Sequence, residues 1–212
     1  MSPIEHFDAA RAALPLVAIL RGVKPAEALA IGHALVGVGW QLIEVPLNSP
    51  QPLASIEALA AALPGALVGA GTVLTPQQVR EVHAAGGRLV VAPNFDAEVL
   101  RCALGLGMVC LPGVATATEA FAARAAGAHA LKLFPAELVT PPVVKALRAV
   151  LAADTVLLPV GGITPSGMAV YRAAGADGFG LGSALYKPGM DGPQVAANAR
   201  SFIDAWRGVS TT

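Results

Sequence analysis

The sequence is short of almost everything that would let sulfur or charge organise it. Two cysteines in 212 residues, Cys102 and Cys110, exclude a disulfide framework, and neither stands at a metal-type spacing from a histidine. With no plausible base beside them, both read as structural thiols. The four histidines, His6, His33, His83 and His129, form no HxH or HExxH pattern, so no metal site is expected. Charged residues make up only 13% of the chain, and fourteen basic side chains cancel fourteen acidic ones. That balance excludes nucleic-acid or anionic-membrane binding by bulk electrostatics; an anion has to be held by a local site. Unbroken apolar runs are missing as well. Ala58 to Arg80, Cys102 to Thr118 and Thr155 to Tyr171 are each interrupted by proline and glycine, which suits buried strands with their loops and not membrane spans. Glu5 and Asp8 stand where a signal peptide has its basic start, so a cytoplasmic protein is expected.

Lysine is scarce, and this is the most informative shortage. Only Lys24, Lys132, Lys145 and Lys187 are present. Lys24 sits at a helix entry before Pro25, Lys145 in a helical stretch and Lys187 before Pro188, all places from which an ammonium reaches water. Lys132 sits inside Ala130-Leu131-Lys132-Leu133, a run too short for a helix that reads as a strand buried on both faces. An ammonium there must find a carboxylate or lose its proton, and the neutral amine is a nucleophile toward carbonyl carbon.

Short apolar runs alternate with alanine-rich helical segments along the whole chain. The strands expected are Leu16–Leu20, Gln41–Val45, Leu67–Ala70, Leu89–Ala92, Met108–Leu111, Ala130–Leu133, Val156–Val160 and Gly178–Leu181. Helices follow them from near Pro25, Gln51, Pro76, Asp96, Thr118, Thr140, Ser166 and Pro193, with proline at first turns and Ser, Thr or Asp as caps. Ala85-Gly86, Ala126-Gly127 and Ala174-Gly175 are placed to close helices through a left-handed glycine. Eight such units predict a single-domain α/β protein, a TIM (β/α)8 barrel spanning residues 1–212. The absence of a G-x-G-x-x-G fingerprint disfavours an open doubly wound sheet.

In a barrel the chemistry stands at the C-terminal ends of the strands. Glu44, in Leu42-Ile43-Glu44-Val45, is flanked by apolar residues just as Lys132 is, and strand alternation lets both point inward. Two readings follow: a buried ion pair that holds the barrel, or Schiff-base chemistry with Glu44 shuttling protons. An ordinary lysine, of pKa ~10.4, is neutral at pH 7 about once in 2,500 molecules, and lowering that pKa to roughly 7 disfavours the cation by about 4–5 kcal/mol. Burial and a nearby Arg21 both act in that direction, whereas an ionised Glu44 opposes it, so the two must be held apart. Late in the chain, Gly161-Gly162 after the seventh strand and Gly182-Ser183 after the eighth stand where barrel enzymes keep phosphate; alternatively they are only tight turns. Arg21 is a carboxylate clamp or a solvated strand end, and Thr72, after Gly71, is a donor to the same carboxylate or merely a turn residue. Pro93 walls a pocket or turns the chain. Asn48 and Ser49 contact substrate hydroxyls or cap the helix near Gln51.

Taken as a set, Ile19-Leu20-Arg21-Gly22, Ile43-Glu44-Val45-Pro46-Leu47-Asn48-Ser49-Pro50, Gly69-Ala70-Gly71-Thr72-Val73, Pro112-Gly113, Leu131-Lys132-Leu133-Phe134-Pro135 and Val160-Gly161-Gly162-Ile163-Thr164-Pro165 resemble the KDPG/KHG aldolase family of class I pyruvate aldolases. The resemblance covers the chain from about Leu16 to Tyr186. It implies Lys132 as the Schiff-base lysine, Glu44 as general acid/base, Arg21 and Thr72 on the pyruvoyl carboxylate, and Pro93 in the pyruvate pocket. Gly161, Gly162, Gly182 and Ser183 are implied to bind phosphate. No metal or organic cofactor is implied, and relatives are trimers, so a homotrimer is expected. Members that cleave the gluconate substrate usually carry an arginine after the glutamate; Asn48-Ser49 here resembles the galactonate branch. The implied reaction is reversible cleavage of 2-dehydro-3-deoxy-6-phosphogalactonate to pyruvate and glyceraldehyde 3-phosphate. The same chemistry on the gluconate epimer or on 4-hydroxy-2-oxoglutarate is the alternative. Ala92 departs from the family, whose members often have Ser or Thr there. Outside the family stand an imine-free phosphosugar epimerase or isomerase and a non-catalytic sugar-phosphate binder.

Overall fold

Proline and short polar caps set the helix starts, and glycine sets many of the ends. The computed structural model describes residues 1–208; the last four of the expected domain, 209–212, lie outside the described residues. The helices are α1 (Pro3–Ala13), α2 (Pro25–Val36), α3 (Pro52–Ala62), α4 (Pro76–Ala84), α5 (Ala97–Gly105), α6 (Ala117–Ala125), α7 (Pro141–Val150), α8 (Met168–Ala173) and α9 (Gly192–Arg207). Thr75, Thr116 and Asp191 open α4, α6 and α9 with reciprocal capping boxes, and Asp96 caps α5. Gly86, Gly127 and Gly175 all adopt positive φ after their helices, as expected of alanine-glycine closures. Asn48 and Ser49 do not cap α3. Its N-cap is Gln51, held at φ 43° without a side-chain cap.

The strands are β1 (Leu16–Ile19), β2 (Leu42–Pro46), β3 (Leu67–Gly71), β4 (Leu89–Val91), β5 (Val109–Leu111), β6 (Gly113–Val114), β7 (Leu131–Leu133), β8 (Leu157–Pro159) and β9 (Phe179–Leu181). They are the eight expected staves, with the fifth in two pieces. Pro112 has no N–H to donate, so the ladder breaks there: β5 pairs with β4, and β6 pairs with β7. The sheet orders β5-β4-β3-β2-β1-β9 and β6-β7-β8 therefore join through Pro112 at one seam. A parallel bridge between Val160 and Gly180 joins them at the other. The result is a parallel TIM barrel ringed by helices.

Helix α1 was not foreseen in the sequence. Its Phe7 and Ala10 are buried in one cluster with Val17, Leu42, Leu67, Leu89 and Val109, closing the N-terminal end of the barrel. Above that plug the interior keeps one strand parity: Val17 and Ile19, Leu42 and Glu44, Val91, Leu111, Lys132, and Leu158 and Val160 face inward. Interior strand positions without a side chain are Gly69 and Gly71 on β3, Gly113 on β6 and Gly180 on β9. A Cβ on Gly71 would lie 1.9 Å from Glu44 Oε2, so the glycine is what lets the carboxylate fit. The barrel is packed at one end and hollowed by glycine at the other.

Candidate active site

Glu44 on β2 and Lys132 on β7 are held inside that hollow, 1% and 5% exposed. Their chamber is lined otherwise by Val17, Ile19, Val91, Leu111, Leu158, Val160 and Gly180, without another polar side chain. Taking an ion out of water costs several kcal/mol even after relaxation, and only close pairing repays it. This pair is not close. Among the described residues there are four ion pairs within 4.0 Å, and none joins Glu44 to Lys132. Glu44 Oε2 is buried with no hydrogen-bond partner on the protein. The structural ion-pair reading of the sequence therefore fails on geometry.

Burial dominates the electrostatics of both groups. It pushes the Glu44 carboxyl up to about 7, against the pull of the Lys132 and Arg21 charges. It also lowers the Lys132 ammonium from its ordinary value, against the Glu44 carboxylate and with help from Arg21. The Phe134 ring works the other way, because Lys132 Nζ lies 4.7 Å from its centroid and an aromatic face favours a cation. Cys110 on β5 faces away from the chamber into the helix-side core; burial pushes its thiol up to about 12, which disfavours a nucleophilic thiolate. Cys102 is half-buried and unpaired. Among the described residues no three His, Cys, Asp or Glu side chains are grouped to hold a metal ion. No described helix is long and apolar enough to cross a membrane.

The chamber opens into a mouth of about 560 Å³, with Ile19, Val160 and Gly180 shared between the two. That volume suits a small metabolite. Its wall brings together Arg21, Gly22, Phe134, Gly161, Gly162, Gly182, Ser183 and Lys187. Gly161 and Gly162 sit at φ 114° and 60°, a conformation side chains resist, so their backbone is shaped at a position only glycine takes readily. The two glycine loops and Arg21 thus meet the buried pair, as the strand-end reading requires.

The remaining candidates are placed less directly. Arg21 donates to Asn48 Oδ1 at 2.9 Å, tying the ends of β1 and β2, and the Gly22 N–H donates to Ser49 Oγ at 2.9 Å. Asn48 thus orients Arg21, while Ser49 is buried and holds a backbone turn. Thr72 follows β3 at φ 57°, an unusual conformation for a β-branched residue and of the kind that marks functional strain. Pro93 follows β4 and packs its backbone on Gly113, where a Cβ would lie 2.2 Å from the proline oxygen. Neither Thr72 nor Pro93 lines the chamber or the mouth. Two residues escaped the sequence reading: Phe134, signalled only by its place two residues after Lys132, and Glu137, whose Oε2 lies 2.5 Å from where a Cβ on Gly161 would be.

Residues 8–197 match the family model described as KDPG and KHG aldolase. The chain belongs to the KDPG and KHG aldolase family. Within it, the chain is 49% identical over 195 residues to the 2-dehydro-3-deoxy-6-phosphogalactonate aldolase of Escherichia coli K12, covering 92% of this chain and 95% of that one. A solved structure described as native KDPGal superposes with a TM-score of 0.90 at 49% identity, over 92% of this chain and 96% of the other. A more distant KDPG aldolase from Legionella pneumophila, 28% identical, superposes at a TM-score of 0.80 over 100% and 99% of the two chains. That crystal structure holds pyruvate captured at low pH as a covalent carbinolamine.

Proposed function

We propose that this aldolase cleaves 2-dehydro-3-deoxy-6-phosphogalactonate reversibly to pyruvate and D-glyceraldehyde 3-phosphate, through an imine on Lys132. The observation that carries the reading is the separated Glu44 and Lys132 pair in an apolar chamber beneath the glycine-lined mouth. Desolvation raises the neutral fraction of Lys132, whose Nζ attacks the C2 ketone. Glu44, poised near neutrality, gives and takes the protons that turn the carbinolamine into a protonated imine with loss of water. The imine then accepts the electron pair of the C3–C4 bond while Glu44, directly or through water, takes the C4 hydroxyl proton. Glyceraldehyde 3-phosphate leaves, and the remaining enamine is protonated at C3 and hydrolysed to pyruvate and free Lys132. The face of Phe134 lies where it favours the imine cation.

Arg21, steadied by Asn48, and Thr72 hold the substrate carboxylate in this account; Pro93 backs the pyruvate pocket, and Ser49 supports the Arg21 turn. Gly161, Gly162, Gly182 and Ser183 receive the phosphate through backbone and hydroxyl donors. A homotrimer in the cytoplasm, one barrel domain per chain over residues 1–212, completes the proposal. The galactonate epimer is favoured because the segment after Glu44 has no arginine; Asn48 stands in it and positions Arg21 from the neighbouring strand instead. Pyruvate release from the two C4 epimers, measured side by side, tests this. A preference for the galactonate epimer of about tenfold or more in kcat/KM is expected. Equal rates would overturn the epimer assignment, and no release from either would overturn the activity.

A further inference from the structure

Gly161, Gly162, Gly182 and Ser183 offer the substrate phosphate only neutral donors. A phosphate monoester carries about −1.5 to −2 charges at pH 7, and dipoles leave much of that uncompensated. The mouth's wall holds two full cations, Arg21 and Lys187. Arg21 belongs to the inner end: it is bonded to Asn48, and its charge acts on both Glu44 and Lys132. Lys187 lines the same mouth as the glycine loops. It follows Ser183 by four residues, and the chain between them folds back, with the Leu185 and Tyr186 N–H groups donating to Gly182 O at 2.8 and 3.0 Å. The next residue, Pro188, is seated on Gly22, where a Cβ would lie 2.8 Å from the proline ring. That contact fixes the Lys187 backbone over the mouth while its side chain stays exposed, outside all four ion pairs of the described residues. The acidic group near the same glycines, Glu137, is not part of the mouth's lining, and its charge opposes a phosphate instead of compensating it.

We propose that Lys187 is the charged anchor of the substrate phosphate and sets the preference for phosphorylated over unphosphorylated aldehydes, which rests on the phosphate reading of the glycine loops. Glycine donors fix orientation, whereas an ammonium is a mobile point charge that draws the dianion in. The pair is solvent-accessible, so its effect is moderate and falls with added salt.

The test is the addition direction, pyruvate with either D-glyceraldehyde 3-phosphate or D-glyceraldehyde, using wild type, Lys187→Met, Lys187→Arg and Gly162→Ala. The ratio of kcat/KM values, phosphorylated over unphosphorylated, should fall about tenfold in Lys187→Met, through KM, as expected of a dianion near one screened charge. Lys187→Arg should restore the ratio, and the salt dependence seen in wild type should flatten in Lys187→Met. A ratio unchanged in Lys187→Met but lost in Gly162→Ala would overturn the Lys187 assignment and keep the phosphate loops. A wild type indifferent to the phosphate would overturn both.

Discussion

Two cations in this barrel are treated in opposite ways. Arg148, on α7 near the N-terminal end of β8, is fully occupied: it donates to Thr155 O at 2.8 Å and to Gly175 O at 3.2 and 3.0 Å, and it pairs with Asp177. Asp177 in turn accepts from the Leu157 N–H at 2.8 Å, so one side-chain pair stitches α7 to β8 and to the turn that leads into β9. Lys132 is more deeply buried and has no ion-pair partner; its carboxylate neighbour has an orphaned oxygen. A bonded charge at the N-terminal end holds structure, whereas the pair at the C-terminal end is buried without an ion-pair contact, which the proposed imine chemistry explains.

The sharpest way to break the comparison is to remove each group's charge and watch which property fails. Glu44→Gln should lower kcat by about 10²–10⁴, the range for a general acid/base, with the fold retained. Stability should move the other way. The Glu44 carboxyl is raised from 4.5 to about 7 in the folded state, so the protonated form is favoured there. That contribution is fully present below pH 4.5 and is lost as pH rises through about 7. The glutamine variant lacks the loss, and its Tm should rise relative to wild type across that window in a thermal-melt series. Lys132, lowered from 10.5, has the opposite slope, its penalty easing as pH rises toward that value.

Arg148→Ala should reverse the pattern, costing about 2–4 kcal/mol of stability through the stranded Asp177 and backbone carbonyls, while kcat per folded molecule stays near wild type. Urea titration with parallel kinetics checks both halves. A variant that kept its stability but lost turnover would erase the distinction between the two ends. The smallest effect is expected from Phe134→Leu, which removes the aromatic face but not the bulk. A drop of about three- to tenfold in kcat, with a lowered apparent pKa for Lys132 in a pH series, follows from a cation–π contact of ordinary strength.

The strands, the helix starts and the Glu44–Lys132 pair were legible because each breaks a strong local rule: an apolar run must be short to be a strand, and a charge inside one demands a reason. The split at Pro112 was written in the sequence too, as a residue that cannot donate, yet its effect depends on which neighbour each half pairs with. Helix α1 went unread because its buried side is only Phe7 and Ala10, too thin an apolar stripe to stand out. Asn48 illustrates a different limit. Its type suited a cap or a ligand contact, and only tertiary placement shows it bonded to Arg21, 27 residues away. From the sequence Lys187 is only a lysine that reaches water before Pro188; its position over the mouth comes from Pro188 packing on Gly22.

The central claim, that Lys132 is kept unpaired to become a carbon–nitrogen bond, is tested most directly by borohydride reduction in the presence of pyruvate. The account predicts one reduced pyruvyl adduct by intact mass, mapping to the peptide that contains Lys132 and absent from Lys132→Ala, with turnover in that variant at background. No adduct on the folded wild-type protein at saturating pyruvate, or an adduct that persists in Lys132→Ala, would contradict it.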